Sequence, residues 1–381
     1  MALKRDDFLR KGTNSQGSYL HTVCRTVLPL TMAAVMLFSG SIQQTASKIL
    51  RISSVLTFPF ESISQNSYQT PKQEVQENYS GIMSTGDTVS AASHKISTVP
   101  EDVKRLTKEA EIQYADSTND GKILEVDYGV QNATSEYNGI YIRNTTKSQS
   151  VDIKSFLQKK VSANINKDEP SVLIYHTHAC ETYELLDRGF YTNSRSTRSE
   201  NPQENMIRIG EEICKNLTEN GYNVIHDKTV YDTQYNGAYE RSRENVSKIL
   251  KENPSIQIVL DIHRDSIYQK DGTRIKPVCV INGEKTAQIK VISGCEDGNV
   301  TDFPNWEKNL AFALALQQKL VEQNPGLMQP LLFCGRKYNM DLTTCALQIE
   351  IGSDANTLTE SVYAARLFAM SLSDLMKEYE A

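Results

Sequence analysis

SIQIVLDIHRD, residues 255–265, is the stretch that decides the fold. Ile256, Ile258, Val259, Leu260 and Ile262 make an apolar run rich in β-branched side chains. No helical spacing is needed to explain it. Such a run suits a strand covered on both faces, as in a parallel sheet. It ends abruptly on His263, Arg264 and Asp265, so a buried strand delivers three ionisable groups at its exit. VLIYH (172–176) before it and CALQIEIG (345–352) after it have the same character. NVI (223–225), VCVI (278–281) and AQIKVISG (287–294) are further strands. Between them the apolar period changes to that of helices. Residues 202–220 place Met206, Ile209, Ile213 and Leu217 on one face, with Gly221 as the stop. Residues 237–252 and 305–323 are two more helices. Thr357 and Glu360 form a capping box for a last helix running to about Lys377. Alternating strands and helices predict an α/β domain: a mostly parallel layered sheet with flanking helices.

The rest of the 381-residue chain narrows its class. Lys and Arg number 41 against 47 Asp and Glu, a net charge of −6. A general nucleic-acid binder would carry a basic stripe, so none is expected as a partner. Seven scattered cysteines include no CxxC pair, which argues against a cysteine-based zinc knuckle and a disulfide framework.

The N-terminus carries Lys4, Arg5, Arg10, Lys11 and Arg25 ahead of an apolar run, Val27–Phe38, that extends to Ile42. A cleaved signal peptide and an uncleaved anchor compete. The long basic leader and the lack of an A-x-A site favour the anchor. The expected order is a cytoplasmic leader (1–25), a single membrane anchor (26–42), a flexible tether (43–120) and a small β-rich segment (121–165), either a subdomain or the first strands of the main domain. The catalytic domain follows (166–381). The tether rests on a stretch rich in Ser, Gln, Thr and Asn, which buries too little to order itself. Basic residues stay inside, so the bulk of the chain is expected outside the cytoplasmic membrane.

Histidines are few, six in all, and three lie at strand ends. His176 and His178 share strand parity in VLIYHTHACETY, so both can point to one face, with Glu181 close behind. His263 lies between Asp261 and Asp265, one of which can orient its ring. Glu350 sits inside an apolar strand, where an ionised carboxylate needs a strong partner. Ligands of open α/β sheets bind beyond the carboxyl ends of strands. Two or three histidines plus a carboxylate are usual ligands of a catalytic zinc, and a further carboxylate takes a proton from water. Arg264 either forks onto a substrate carboxylate or neutralises Asp265. His226 reads as a solvated loop residue.

GIYIRNTT, IYHTHACETY, YNGAYERSRENVSKIL, NPSIQIVLDIHRD, NPGL, YNMDL and LQIEIGSDANTLTE occur in this order between residues 138 and 375. With them the chain resembles the stage II sporulation protein P family, membrane-anchored peptidoglycan hydrolases that act during engulfment. The family is similar to zinc-dependent N-acetylmuramoyl-L-alanine amidases. The resemblance implies a zinc ion held by His178 and His263 with a glutamate, Glu181 by motif or Glu204 by position in the topology. His176 is the alternative to His178. It implies Glu350 as the catalytic acid/base and amidase action, with endopeptidase action on cross-links as an option; in that reaction Arg264 is the residue expected to hold the peptide. Peptidoglycan is the implied substrate, and a glycan hydrolase and a membrane scaffold of the engulfment machinery are the implied partners. The competing expectation is a wall-binding or scaffolding module whose site has decayed.

Overall fold

The computed structural model of the chain describes residues 98–380. The expected leader, anchor and first part of the tether lie outside these residues. Among the described residues no helix is long and apolar enough to cross a membrane.

The large sheet is built on three strands in register. β4 (Pro170–Tyr175), β7 (Ile258–Asp265) and β12 (Ala346–Ser353) lie side by side and parallel. β6 (Asn223–His226) extends the sheet beyond β4, also parallel. On the other side β10 (Ile289–Gly294) joins β12 antiparallel. β11 (Leu331–Cys334) and β3 (Ile140–Asn144) follow in parallel, and β2 (Ser135–Tyr137) closes the edge antiparallel. The order is β2-β3-β11-β10-β12-β7-β4-β6.

Side chains alternate strictly between the two faces of the central strands. Ile258, Leu260 and Ile262, with Val172, Ile174, Leu347, Ile349 and Ile351, face one side. They pack there in the main core with α3 (Met206–Glu219), α5 (Trp306–Gln323) and α6 (Leu358–Lys377). Leu173, Tyr175 and Val259 face the other side, against Val246, Ile249 and Leu250 of α4 (Ala238–Glu252). α6 begins as its capping box requires: Thr357 accepts from the Glu360 N–H, and the Glu360 carboxylate accepts from the Thr357 N–H.

Two departures from the sequence reading concern the entry to the domain. A helix, α1 (Glu101–Gln113), occupies part of the stretch 43–120 expected to be tether. Val103, Leu106 and Ala110 are buried at helical spacing, and Asp102 is ion-paired to Arg208 of α3 at 2.6 Å. The segment 121–165 is not a separate unit. β3 lies inside the large sheet, and β1 (Gly121–Val126) pairs parallel with β8 (Arg274–Ile281). That second sheet runs β5-β1-β8-β9, with β5 at Phe190–Tyr191 and β9 at Glu284–Ala287. Asn282 and Gly283 both have positive φ and turn the β8–β9 hairpin. Buried Lys276 ties this sheet to α6, bonding Glu125, Asp187 and Glu360 at 3.1, 2.6 and 2.7 Å.

Candidate active site

The polar side chains converge at the carboxyl ends of β4, β7 and β12, on the α4 face. Register places them. Asp261 and His263 alternate with the apolar face of β7. Gln348 and Glu350 of β12 stand directly opposite them, and Lys290 of β10 stands opposite Glu350 on the far side. Paired residues share a face, so Lys290, Glu350 and His263 form a row across three strands.

His178 reaches this face by leaving the strand. β4 ends at Tyr175, and residues 177–180 turn. The expected parity of His176 and His178 therefore breaks between them. His176 keeps the parity of Val172 and Ile174 and points under α3. There its Nδ1 donates to the Ile262 carbonyl at 3.0 Å, and its Nε2 lies 2.9 Å from Nε2 of His226. Both nitrogens are engaged, so the structure does not bring His176 into the polar cluster. It also corrects the reading of His226, which is half-buried against His176 rather than solvated. His178, two residues on, lies edge-to-face with His263, ring centroids 5.4 Å apart.

Glu181 follows in the same loop, buried, with Oε2 3.5 Å from Nδ1 of His263 and within 3.3 Å of the Arg264 N–H. Burial pushes its carboxyl up, but the Arg264 charge and His263 outweigh this and hold it at about 2. Glu204 is elsewhere engaged: Arg195 pairs with it at 3.2 Å and Ser199 donates to it at 2.9 Å. Asp261, not Asp265, lies against the His263 ring, Oδ1 to Nε2 at 2.9 Å. Thr177 holds Asp261 from the other side through its N–H and hydroxyl, at 2.8 and 2.6 Å. Burial works against a charge on His263, yet Asp261 and Glu181 raise its pKa well above the ordinary value. Asp265 instead pairs with Lys290.

Glu350 accepts a bond from Gln348 on Oε1 at 2.8 Å, while its buried Oε2 has no partner. Burial first, and the Asp265 charge next, push its carboxyl up to about 7. Arg264 does not face a substrate. Its guanidinium is buried and spent on the carbonyls of Thr182, Thr197 and Asp265 at 3.0, 2.9 and 3.3 Å. This arginine fastens the 181–198 loop to β7, a positioning role in place of the peptide-holding one expected.

One acidic residue at the site has no counterpart in the sequence reading. Asp232, in the loop between β6 and α4, is buried with Oδ2 3.6 Å from Nδ1 of His178. Burial raises its carboxyl, but the contact with His178 and the Arg198 charge hold it at about 2. The site's wall is aromatic. Tyr235 stacks on His178 at 4.5 Å, and Tyr239 stacks parallel to His263 and tilts against Tyr338.

The chemistry of this donor set suits a zinc ion, while its spacing is wider than a closed ligand sphere. Two imidazoles and a carboxylate are borderline-soft and hard ligands of the kind zinc takes. Nδ1 of His178 is buried without an aligned hydrogen-bond partner. Asp261 and Glu181 together create a negative hollow that favours a cation at His263. The 3.5 Å between His263 Nδ1 and Glu181 Oε2 is too long for a hydrogen bond. It is near the ~3.4 Å that two ligands of a tetrahedral zinc span. Among the described residues, the group of three whose ligand atoms all lie within 4.8 Å is a different one: Glu125, Asp187 and Glu360. The Lys276 and Lys285 ammonium groups already neutralise that group. His178 thus stands further from the Glu181–His263 pair than members of one closed ligand sphere.

Comparison with known proteins gives three kinds of likeness. The family model described as Stage II sporulation protein P matches residues 63–373. The Stage II sporulation protein P of Bacillus subtilis (strain 168) is 29% identical over 243 residues, 58% of this chain and 57% of that protein. The match thus spans little more than half of that relative's length. Among solved structures, the amidase AmiC2 of Nostoc punctiforme is 11% identical, with a TM-score of 0.34, over 56% of this chain and 97% of that one. The catalytic domain of CwlV, an amidase from Bacillus (Paenibacillus) polymyxa var. colistinus, is 15% identical, with a TM-score of 0.34, over 55% and 97%. The family model covers most of the chain, and its ordered motifs hold the cluster just described: the chain belongs to the stage II sporulation protein P family.

Proposed function

We propose that the chain is a zinc-dependent peptidoglycan hydrolase of sporulation, an N-acetylmuramoyl-L-alanine amidase that remodels septal wall during engulfment. The observation that carries this is the buried set of His178, His263 and Glu181 at the strand ends, with the unpartnered carboxylate oxygen of Glu350 in register beside His263. His178, His263 and Glu181 would hold the metal. Zinc, when bound, polarises a carbonyl and activates water at neutral pH. The chain's own residues do the rest. Gln348 holds one oxygen of Glu350 in place and leaves the other for a proton. Glu350 accepts that proton as water attacks the lactyl–alanine amide carbonyl. It returns the proton to the leaving amine as the C–N bond breaks. Tyr235, Tyr239 and Tyr338 wall the site with aromatic surface and exclude water from one side. Endopeptidase action on cross-links uses the same attack on a different amide.

The same reading holds the chain at the outer face of the cytoplasmic membrane by the segment 26–42. A glycan hydrolase and a membrane scaffold would act beside it. These two partners rest on the family alone. Digestion of purified cell wall by the full chain tests the activity, with fragments identified by mass. Free stem peptides and intact glycan strands are expected. Release of reducing sugar ends alone would identify a glycosidase and overturn the proposal.

A further inference from the structure

The face of the sheet that carries the site does not stop at Glu350. By register it continues over β10 with Lys290 and Ile292, and through Leu332 of β11 to Arg143 of β3. Lys290 and Glu350 stand directly opposite each other, so their side chains start about 5 Å apart. The Lys290 ammonium bonds Asp265 at the exit of β7. β12 lies between β10 and β7, so the lysine stem bridges strands about 10 Å apart. It crosses β12 between Glu350 and Ser353, the residue opposite Asp265. Asp265 is itself fixed, since its other oxygen accepts the Ser266 N–H at 2.8 Å. The ammonium is thus held at the mouth of the site, beside Glu350.

An ammonium has three N–H donors. Among the described residues Asp265 is the one group that Lys290 bonds, and 17% of the lysine side chain is open to solvent. Burial works against its charge, yet Asp265 and Glu350 outweigh this and keep the amine protonated. The Arg143 charge acts on it from β3, so a second cation lies on the same side. Of the residues that β7, β12 and β10 turn toward the site, Lys290 is the one lysine or arginine. Arg264 is one residue out of step and spent on carbonyls.

We infer that Lys290 is a specificity-determining residue: its ammonium binds the carboxylate of the substrate peptide nearest the scissile amide. The inference rests on the amidase reading of this site. In a wall stem peptide the alanine is followed by a glutamate linked through its side chain, which leaves the α-carboxylate free. That group lies one to two residues of extended chain, about 3–7 Å, from the bond that Glu350 serves. The separation of the Lys290 and Glu350 side chains is on the same scale. A hydrogen bond between two charged groups favours the carboxylate over a neutral amide by about 10-fold or more.

The test uses two N-acetylmuramoyl tripeptides that differ in one group: the glutamate α-carboxylate of one is an α-amide in the other. Peptide release (kcat/KM) and binding by calorimetry are measured on the full chain, wild type and Lys290→Gln. Wild type is expected to favour the acid by about 10-fold or more in both measurements. In Lys290→Gln the acid should fall to the level of the amide. Equal handling of the two peptides by wild type would overturn the inference, and that comparison needs no variant. A preference that survives in Lys290→Gln, with both peptides losing equally, would make the lysine a structural partner of Asp265 and also overturn it. A wild type that binds the acid by preference but cleaves neither peptide would end the amidase reading and leave the carboxylate site standing. Binding of neither peptide would overturn the site itself.

Discussion

Two histidine pairs lie within a few residues of each other and do opposite things. His176 and His226 meet beneath the sheet, against α3, with nitrogens 2.9 Å apart. His178 and His263 meet above it, with rings 5.4 Å apart. Burial alone does not separate them, since His176, His178 and His263 are all buried. Their neighbours do. The lower pair faces apolar helix and a carbonyl. The Ile262 carbonyl can only accept, so His176 carries its proton on Nδ1 and takes the His226 N–H on Nε2. Burial lowers both pKa values, to about 4 for His176 and about 2 for His226. The upper pair is ringed by Asp232, Asp261 and Glu181, which favour a cation. Identical side chains become a neutral structural clip or a candidate metal centre according to whether carboxylates surround them.

The sharpest way to break this comparison is to remove one histidine from each side of the HTH sequence. His178→Ala and His263→Ala should each lose most bound zinc and with it most wall digestion, since either leaves two protein ligands. His176→Ala should keep its zinc and lose stability instead. It strands the Ile262 carbonyl and the His226 N–H in a buried place, at about 1–3 kcal/mol for each unsatisfied group. Metal analysis and thermal melts on the same samples check both arms. Zinc loss in His176→Ala with a wild-type melt would reverse the assignment.

A second test stays above the sheet. Glu350→Gln keeps the shape and the Gln348 neighbour but cannot take a proton. Turnover should fall about 10²- to 10⁴-fold while zinc content is retained. If zinc is lost instead, Glu350 belongs to the ligand shell. Wild-type turnover would remove it from the chemistry.

The sequence made the upper site legible because its strands announce themselves. IVLDIHRD and ALQIEIGS are apolar runs interrupted by charge, and charge inside a buried run has few bland explanations. The helices between the central strands were equally plain, down to the Thr357–Glu360 box, but α1 was hidden in the stretch read as tether. The second sheet was harder to see. β1 is mostly half-exposed, and β5 is two residues long, so neither has a strong period. Parity misled at His176 because the turn at 177–180 resets side-chain direction. Arg264 misled because a charge at a strand exit reads as a substrate contact, and only the fold reveals three carbonyls waiting for it. Asp232 left no signal at all. It sits in YDTQYNG (231–237), a loop without period, and meets His178 only through tertiary folding.

The lower pair can be stressed from the helix side. A Cβ at Gly210 of α3 would lie 2.5 Å from Nε2 of both His176 and His226. Glycine to alanine inside a helix ordinarily stabilises by about 1 kcal/mol. Here overpacking against two fixed rings should outweigh that, for a net loss of about 1–2 kcal/mol. Adding His226→Ala should recover part of it, because one of the two colliding rings is gone. A stabilised Gly210→Ala would mean that the rings move freely, and the clip would not be rigid.

The smallest effect is a difference in how stability depends on pH. His226 is held near 2 by burial, with the His176 and Lys228 charges adding to it, whereas the unfolded chain's histidine titrates near 6.5. Between those values the unfolded state binds the extra proton. Stability therefore falls as pH drops below about 6.5, by at most about 1.4 kcal/mol per pH unit for this group. His226→Asn keeps an N–H to offer His176 but has nothing to titrate. Its denaturant midpoint, followed from pH 7 to pH 5, should decline less steeply than that of the wild type. The gap between the two proteins should narrow as the solution is acidified. The other titrating groups are common to both proteins and cancel in that difference. Parallel curves would show that His226 takes up its proton in the fold as it does in the unfolded chain, and the lower pair would not be a neutral clip.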